Sequence, residues 1–213
     1  MYYLSRVEID VANRQKIKDL SHVGAYHNWV ESCFPSEVTK GQRSRKLWRI
    51  DVLNEKPYLL ILSQSLPDKE KLERYGVLNT GESKKYDDFL SRIENGKAYT
   101  FRAVLNPTYS VFKPGEKRGR VFPEITVAQQ ISYLERQAEK NGFILVKDNY
   151  EITNRNFVVL KKAGSRPVKL SQVAFEGRLI VSDKEKFLAA LTNGIGREKA
   201  YGCGLMTVIP AKE

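Results

Sequence analysis

The spacing of apolar residues runs through the same cycle twice, and that cycle restricts the fold more than any single motif does. Tyr3, Val7, Ile9 and Val11 alternate with Arg6, Glu8 and Asp10, the two-residue period of a strand with one buried face. From Asp19 the interval lengthens. Leu20, Val23, Tyr26 or His27, Val30 and Phe34 recur every three or four residues, which predicts a helix capped by Asp19 or Ser21 and stopped by Pro35. Alternation returns at Trp48, Ile50 and Val52 and again over 58–65, before Pro67 introduces a short helix through about Arg74.

A polar, glycine-containing stretch at 76–96 places a boundary between one unit, 1–92, and a second, 93–213. The cycle then restarts. Tyr99, Phe101, Ala103 and Leu105 share a strand face, and an irregular basic loop follows. Thr126 and Gln129 stand at capping-box spacing ahead of the helical stripe Val127, Ile131, Leu134 and Ala138. Strands are predicted at 143–147, 156–162 and 168–181, Ser182 or Asp183 caps a helix with Phe187, Leu188 and Leu191, and 205–209 is a closing strand. This order predicts an α+β protein built of tandem ferredoxin-like, RNA-recognition-motif-like βαββαβ domains, with an added basic β-hairpin in the second.

Charge narrows the partner. Lys and Arg number 36 against 25 Asp and Glu, a net charge of +11, and a basic protein of this kind most commonly meets a polyanion, nucleic acid first. The excess is uneven: 1–92 has 16 basic and 13 acidic side chains, net +3, whereas 93–213 has 20 and 12, net +8. Three clusters stand out: Arg43, Arg45, Lys46 and Arg49; Lys113, Lys117, Arg118 and Arg120; and Lys161, Lys162, Arg166 and Lys169. The last surrounds Ala163-Gly164-Ser165 between two strands, so it predicts a basic hairpin tip able to reach into a nucleic-acid groove. Cys33 and Cys203 each stand alone, which argues against a disulfide framework or a zinc site and suits a reducing cytoplasm. No metal and no cofactor is expected. No apolar run approaches the ~18 residues of a membrane helix and the first residues do not resemble a signal peptide, so neither export nor a membrane partner is expected.

Two features bear on chemistry. His22 and His27 are five apart on one helix and cannot share a face; the ordinary pKa of an imidazole, about 6.5, suits proton transfer at neutral pH. Paired carboxylates in a motif, metal clusters and known nucleotide-binding loops are all missing, so attack by an RNA 2'-OH on its own phosphate is the phosphodiester chemistry that fits this inventory. The second feature is the run from Gly194 to Gly204, with Gly196 and Gly202 between, carrying Arg197 and Lys199. It is either a helix-to-strand turn or a loop shaped to let an anion approach.

That run, Gly194-Ile195-Gly196 through Lys199 and then Tyr201-Gly202-Cys203-Gly204-Leu205, closely resembles the C-terminal glycine-rich loop of the CasE family of CRISPR repeat-processing endoribonucleases. The resemblance extends to Met1 to Val7, to His27 with Phe34-Pro35, to Tyr99-Phe101-Arg102 with Asn106-Pro107, and to Phe175-Glu176-Gly177. It implies a tandem ferredoxin-like fold, membership of the type I-E Cascade complex alongside other Cascade subunits, and binding of the CRISPR repeat hairpin RNA. It further implies metal-independent cleavage at the 3' base of that hairpin. The family's catalytic histidine lies seven residues before a Phe-Pro pair, as His27 does. In several members a tyrosine stands three before that histidine; here the position is Gly24, and Tyr26, directly before His27, is the candidate to stand in for it. For RNA contact, the hairpin Lys161, Lys162, Arg166 and Lys169 ranks first and Lys113, Lys117, Arg118 and Arg120 second, with Gly194, Gly196, Arg197, Lys199, Gly202 and Gly204 lining the floor. The rival expectation is a subunit that holds the hairpin without cutting it.

Overall fold

The computed structural model describes every residue except 114, 116, 117, 162, 163, 165, 212 and 213; the candidates Lys117 and Lys162 therefore lie outside the described residues. The first half contributes strands β1 (Tyr3–Glu8), β2 (Leu47–Leu53), β3 (Lys56–Ser63) and β4 (Glu82–Lys85), with helices α1 (Val23–Ser32), α2 (Pro35–Lys40), α3 (Lys69–Leu72) and α4 (Asp87–Ser91). Its sheet has the order β2-β3-β1-β4, all antiparallel. The second half contributes β5 (Ala98–Leu105), β6 (Thr108–Val111), β7 (Arg120–Pro123), β8 (Phe143–Leu160), β9 (Val168–Val181) and β10 (Met206–Pro210), with α5 (Val127–Lys140) and α6 (Lys184–Asn193). Its main sheet is ordered β10-β5-β9-β8, again antiparallel. The two sheets and their covering helices make the chain a tandem ferredoxin-like protein, with β6 and β7 as a separate ribbon.

Several elements differ from expectation for identifiable reasons. Pro35 does not stop the first helix; α1 ends at Ser32 and Pro35 opens α2, a position that suits proline because its missing N–H would be unpaired there anyway. The cap of α1 is neither Asp19 nor Ser21 but His22, whose Nδ1 accepts from the Gly24 amide at 3.1 Å. Strand β4 falls in the polar stretch: its four residues, Glu-Ser-Lys-Lys, are all exposed, and it exists through pairing Tyr3–Arg6 of β1 rather than through burial. The segment 143–160 is one strand instead of two, bent by irregularities between Leu145 and Tyr150 and between Ile152 and Asn154. The basic tip of 161–169 is therefore the far end of the second unit's own β8–β9 pair. The inserted hairpin is instead β6–β7, within the segment expected to be an irregular loop.

Two cores carry the fold. One lies on the α1 face of the first sheet and includes Val7, Trp29, Val30, Phe34, Trp48, Leu59 and Ile61. The larger one joins Phe101, Phe143, Phe175, Phe187 and Leu191 of the second unit to Leu47 and Leu62 of the first. Each fully buried aliphatic side chain such as Leu59 or Ile61, both 0% exposed, contributes about 1.5–3 kcal/mol. A polar clamp also spans the two sheets. Arg49, 2% exposed, donates to Arg102 O, Leu205 O, Thr207 Oγ1 and both carboxylate oxygens of Asp51, so each of its side-chain N–H groups has an acceptor.

Candidate functional site

Helix α1 is set by the side chains that it buries. Trp29 and Val30 enter the first core, and Trp29 Nε1 donates to Lys71 O at 3.0 Å. Residues 24, 27 and 31 then fall along another side of the helix. His27 lies there, half-buried, its ring edge-on to Tyr201 with centroids 5.9 Å apart and planes at 69°. Burial holds its pKa below the ordinary imidazole value; Glu31 pulls it up, while Lys46 and Arg43 push it down. The neutral imidazole is therefore the dominant form at neutral pH.

Tyr26 does not share this side. Its ring stacks on Trp48 (centroids 6.0 Å, planes 20°) and tilts against Trp29, and burial raises its pKa. Successive helical residues point about 100° apart, so the two rings are committed to different surroundings. The tyrosine that the fold brings to His27 is Tyr201, from the far end of the chain.

Tyr201 ends a single 3-10 turn, Lys199–Tyr201, within the glycine run. Three contacts fix that turn: Trp48 Nε1 donates to Ala200 O at 3.0 Å, Gln172 Nε2 donates to Tyr201 O at 2.9 Å, and the Tyr201 amide donates to Glu198 O at 2.9 Å. Gly202, at φ +82°, lies so close to Trp48 that a β-carbon would stand 3.0 Å from the indole. At Gly194, φ +75°, a β-carbon would stand 2.7 Å from Leu47 Cδ2. Gly194, Gly202 and Gly204 are buried, and the backbone that Gly194 and Gly202 bring close is pressed onto the first sheet. Lys199 is also turned inward. Its Nζ donates to Asn193 O at 2.8 Å and to Gly194 O, closing the C-terminal end of α6. Gly194, Gly196, Lys199 and exposed Arg197 nonetheless line a cleft of about 420 Å³ together with Thr108, Ser110 and Lys140. A shallower cleft of about 500 Å³ is lined by Arg197, Arg45 and Tyr201, the residue whose ring meets His27.

The basic clusters part company in the structure. Of the first, Lys46 is buried against Glu37 (2.6 Å) and Glu31 (3.4 Å) and Arg49 forms the clamp, leaving Arg43 and Arg45 exposed. Burial alone would raise the Glu37 carboxyl, but hydrogen bonds from Lys46, Ser65 and Ser44 hold it down at about 2. Lys161, Arg166 and Lys169 are exposed at the β8–β9 tip, and that tip approaches the candidate helix: a β-carbon on Gly24 would stand 3.3 Å from Leu160, the residue before Lys161. Lys113, Arg118 and Arg120 are exposed around the turn of the β6–β7 ribbon, whose Tyr109 and Phe122 stack with centroids 5.7 Å apart. Sequence reasoning did not include Tyr201, Arg43 or Arg45 among the site residues. The five basic residues of 40–49 were a signal for the arginines; nothing local marks Tyr201 as a neighbour of a helix 174 positions earlier.

Among the described residues no group of three or more His, Cys, Asp or Glu is placed to hold a metal ion, and no helix is long and apolar enough to cross a membrane.

Comparison with known proteins agrees across the chain. The profile of a family described as CRISPR associated protein matches residues 2–210. The CRISPR-associated endoribonuclease Cse3 of Thermus thermophilus is 29% identical over 221 residues, covering 98% of this chain and all of the relative. The CRISPR system Cascade subunit CasE of Escherichia coli is 31% identical over 129 residues, 56% of this chain and 61% of the relative. A solved structure of Cse3 bound to 19 nt RNA superposes with a TM-score of 0.81 at 27% identity, covering 98% of this chain and 99% of that one. The chain belongs to the CRISPR associated protein family, close to the Cse3 and CasE endoribonucleases.

Proposed function

We propose that this chain is a metal-independent endoribonuclease that binds the CRISPR repeat hairpin RNA, cleaves precursor CRISPR RNA at the hairpin's 3' base, and stays with the product in a cytoplasmic Cascade complex. The observation that carries the catalytic part is the setting of His27: a half-buried imidazole whose surroundings favour the neutral form, packed against Tyr201, which lines a cleft with exposed Arg45 and Arg197. The similarity to Cse3, which is named an endoribonuclease and has been solved with RNA, and to CasE, named a Cascade subunit, supports the substrate and the assembly.

In this mechanism neutral His27 accepts the proton of a ribose 2'-OH as that oxygen attacks the adjacent phosphorus. The P–O5' bond breaks and the departing 5'-oxygen takes a proton from water, leaving a 2',3'-cyclic phosphate, or a 3'-phosphate after hydrolysis, and a 5'-hydroxyl. Arg43 and Arg45 face the charge that grows on the phosphate, and Lys161, Arg166 and Lys169 hold the stem through its backbone, as A-form RNA is held mostly by shape and phosphate contact. Holding the 2'-OH in line supplies a large part of the acceleration. Tyr26, packed on Trp48, supports the helix.

The test incubates the protein with repeat RNA in EDTA, alongside His27→Ala and RNA bearing a 2'-deoxy nucleotide at the scissile position. Wild type cleaves in EDTA. His27→Ala loses roughly 10² to 10⁴ in rate while keeping its affinity, and the 2'-deoxy RNA is bound but not cut. Binding without cleavage by wild type would mean a subunit that only retains the hairpin.

A further inference from the structure

The imidazole of His27 makes no hydrogen bond among the described residues, yet a general base has to stay within about 3 Å of the proton it takes. A side chain with two free torsions does not hold such an aim unaided. Glu31, Lys46 and Arg43 act on it through charge; the ring packed against it is Tyr201. Tyr201 is itself unusually constrained for a loop residue. Its carbonyl is held by Gln172 and its amide by Glu198 O, its neighbour Ala200 is held by Trp48, and Gly202 lies against that same indole. Gln172 and Trp48 come from β9 and β2, one from each sheet, so the ring is delivered to α1 by both halves of the molecule. Its other border is the cleft with Arg45 and Arg197.

We propose that Tyr201 is a positioning residue for the cleavage reaction: its ring, set edge-on against His27, fixes the imidazole in the orientation that proton transfer uses. The inference rests on the endoribonuclease reading above, and it assigns the glycine-rich run a purpose that phosphate binding does not give it. The run's glycines let the turn lie down on Trp48 and Leu47, and the turn carries Tyr201 to the catalytic helix. The ring, rather than the hydroxyl, does the holding.

The experiment compares full-length wild type, Tyr201→Phe and Tyr201→Leu. Single-turnover cleavage of the repeat hairpin is followed at saturating protein across a pH series, affinity is measured on uncleavable 2'-deoxy RNA, and the His27 ring is titrated by proton NMR without RNA. Thermal melts establish that all three are folded. Tyr201→Phe keeps the wild-type rate and His27 titration. Tyr201→Leu cuts the rate roughly 10- to 100-fold with affinity unchanged, and the His27 titration moves up towards the ordinary imidazole value as water reaches the ring. Equal loss in Tyr201→Phe overturns the proposal in favour of the hydroxyl. An unchanged rate and titration in Tyr201→Leu, or a loss confined to affinity, overturns it as well. A wild-type protein that binds but does not cut overturns the nuclease reading alone, and the NMR titration then still decides whether Tyr201 holds the imidazole.

Discussion

The two halves of the molecule share one kind of sheet and put it to different uses. In the first, β2 and β3 are joined by a two-residue turn at Asn54 and Glu55, both at positive φ, and the cations nearest the candidate helix are partly drawn inward, Lys46 to Glu37 and Glu31 and Arg49 to Asp51. In the second, β8 runs for 18 residues and β9 for 14, past the edge of the sheet, and an extra ribbon β6–β7 is inserted; the described cations at both tips are exposed. The lesson is that a run of Lys and Arg in the sequence has two opposite outcomes. Near 43–49 half of the charge organises the protein's own interior, whereas at 161–169 the described charge is exposed. The first half supplies a chemically tuned histidine, the second supplies reach, and the glycine run pins one to the other.

The strongest way to break this contrast is to remove a cation from each half and compare stability. Arg49→Met leaves Asp51 with Arg102 alone and strands the carbonyls of Arg102 and Leu205, so it should cost about 3–5 kcal/mol in chemical denaturation. Lys161→Ala should stay within about 0.5 kcal/mol of wild type. Similar losses from the two substitutions would mean that the hairpin tip is structural after all.

The reverse ordering is expected for RNA. Replacing Lys161, Arg166 and Lys169 together by alanine should weaken binding to any hairpin of the same shape and lower the slope of log K against log salt by roughly 1 for each phosphate no longer neutralised. Adding Arg43→Ala and Arg45→Ala should reduce the cleavage rate more than the slope, because Arg43 acts on the charge of His27 and Arg45 lines a cleft with Tyr201, the ring packed against it. An unchanged slope in the triple variant would transfer stem binding to Lys113, Arg118 and Arg120 on the other ribbon.

What was legible in the sequence follows the same division. Elements whose apolar residues face a core could be read directly: α5, with Thr126 and Gln129 forming the anticipated capping box, and β5, whose Tyr99, Phe101, Ala103 and Leu105 are all buried as their alternation predicts. Strand β4 was invisible because pairing with β1 alone defines it, and β6–β7 because its residues are mostly exposed instead of facing a core. His27 became a candidate through the family resemblance, which places a histidine seven residues before a Phe-Pro pair. Its partner Tyr201 could not be singled out, since its approach depends on Gly202 lying on Trp48, a tertiary event that leaves only glycines in the sequence. The buried roles of Lys46 and Arg49 were hidden for the same reason: their acceptors, Glu37, Asp51 and backbone carbonyls of β5 and the β10 approach, are assembled only when the sheets meet.

The smallest and sharpest effects concern pH. His27 titrates below its ordinary value because burial disfavours the charged ring, so the cleavage rate should fall on the acid side with a midpoint under about 6.5. The unfolded chain binds that proton more readily than the folded one. Stability should therefore decline as pH drops from about 6.5 and level off below the folded value. Glu31→Gln removes the one neighbouring charge that raises the pKa and should move the midpoint further down; Lys46 still keeps Glu37 at 2.6 Å, so the local fold persists. Arg43→Ala removes a charge that lowers it and should move the midpoint up. Opposite shifts from these two substitutions, read from single-turnover rates on the same RNA, would identify the titrating group as His27, because its surroundings contain one acidic and two basic side chains acting in those directions. Shifts of the same sign would place the rate-controlling proton on a different group.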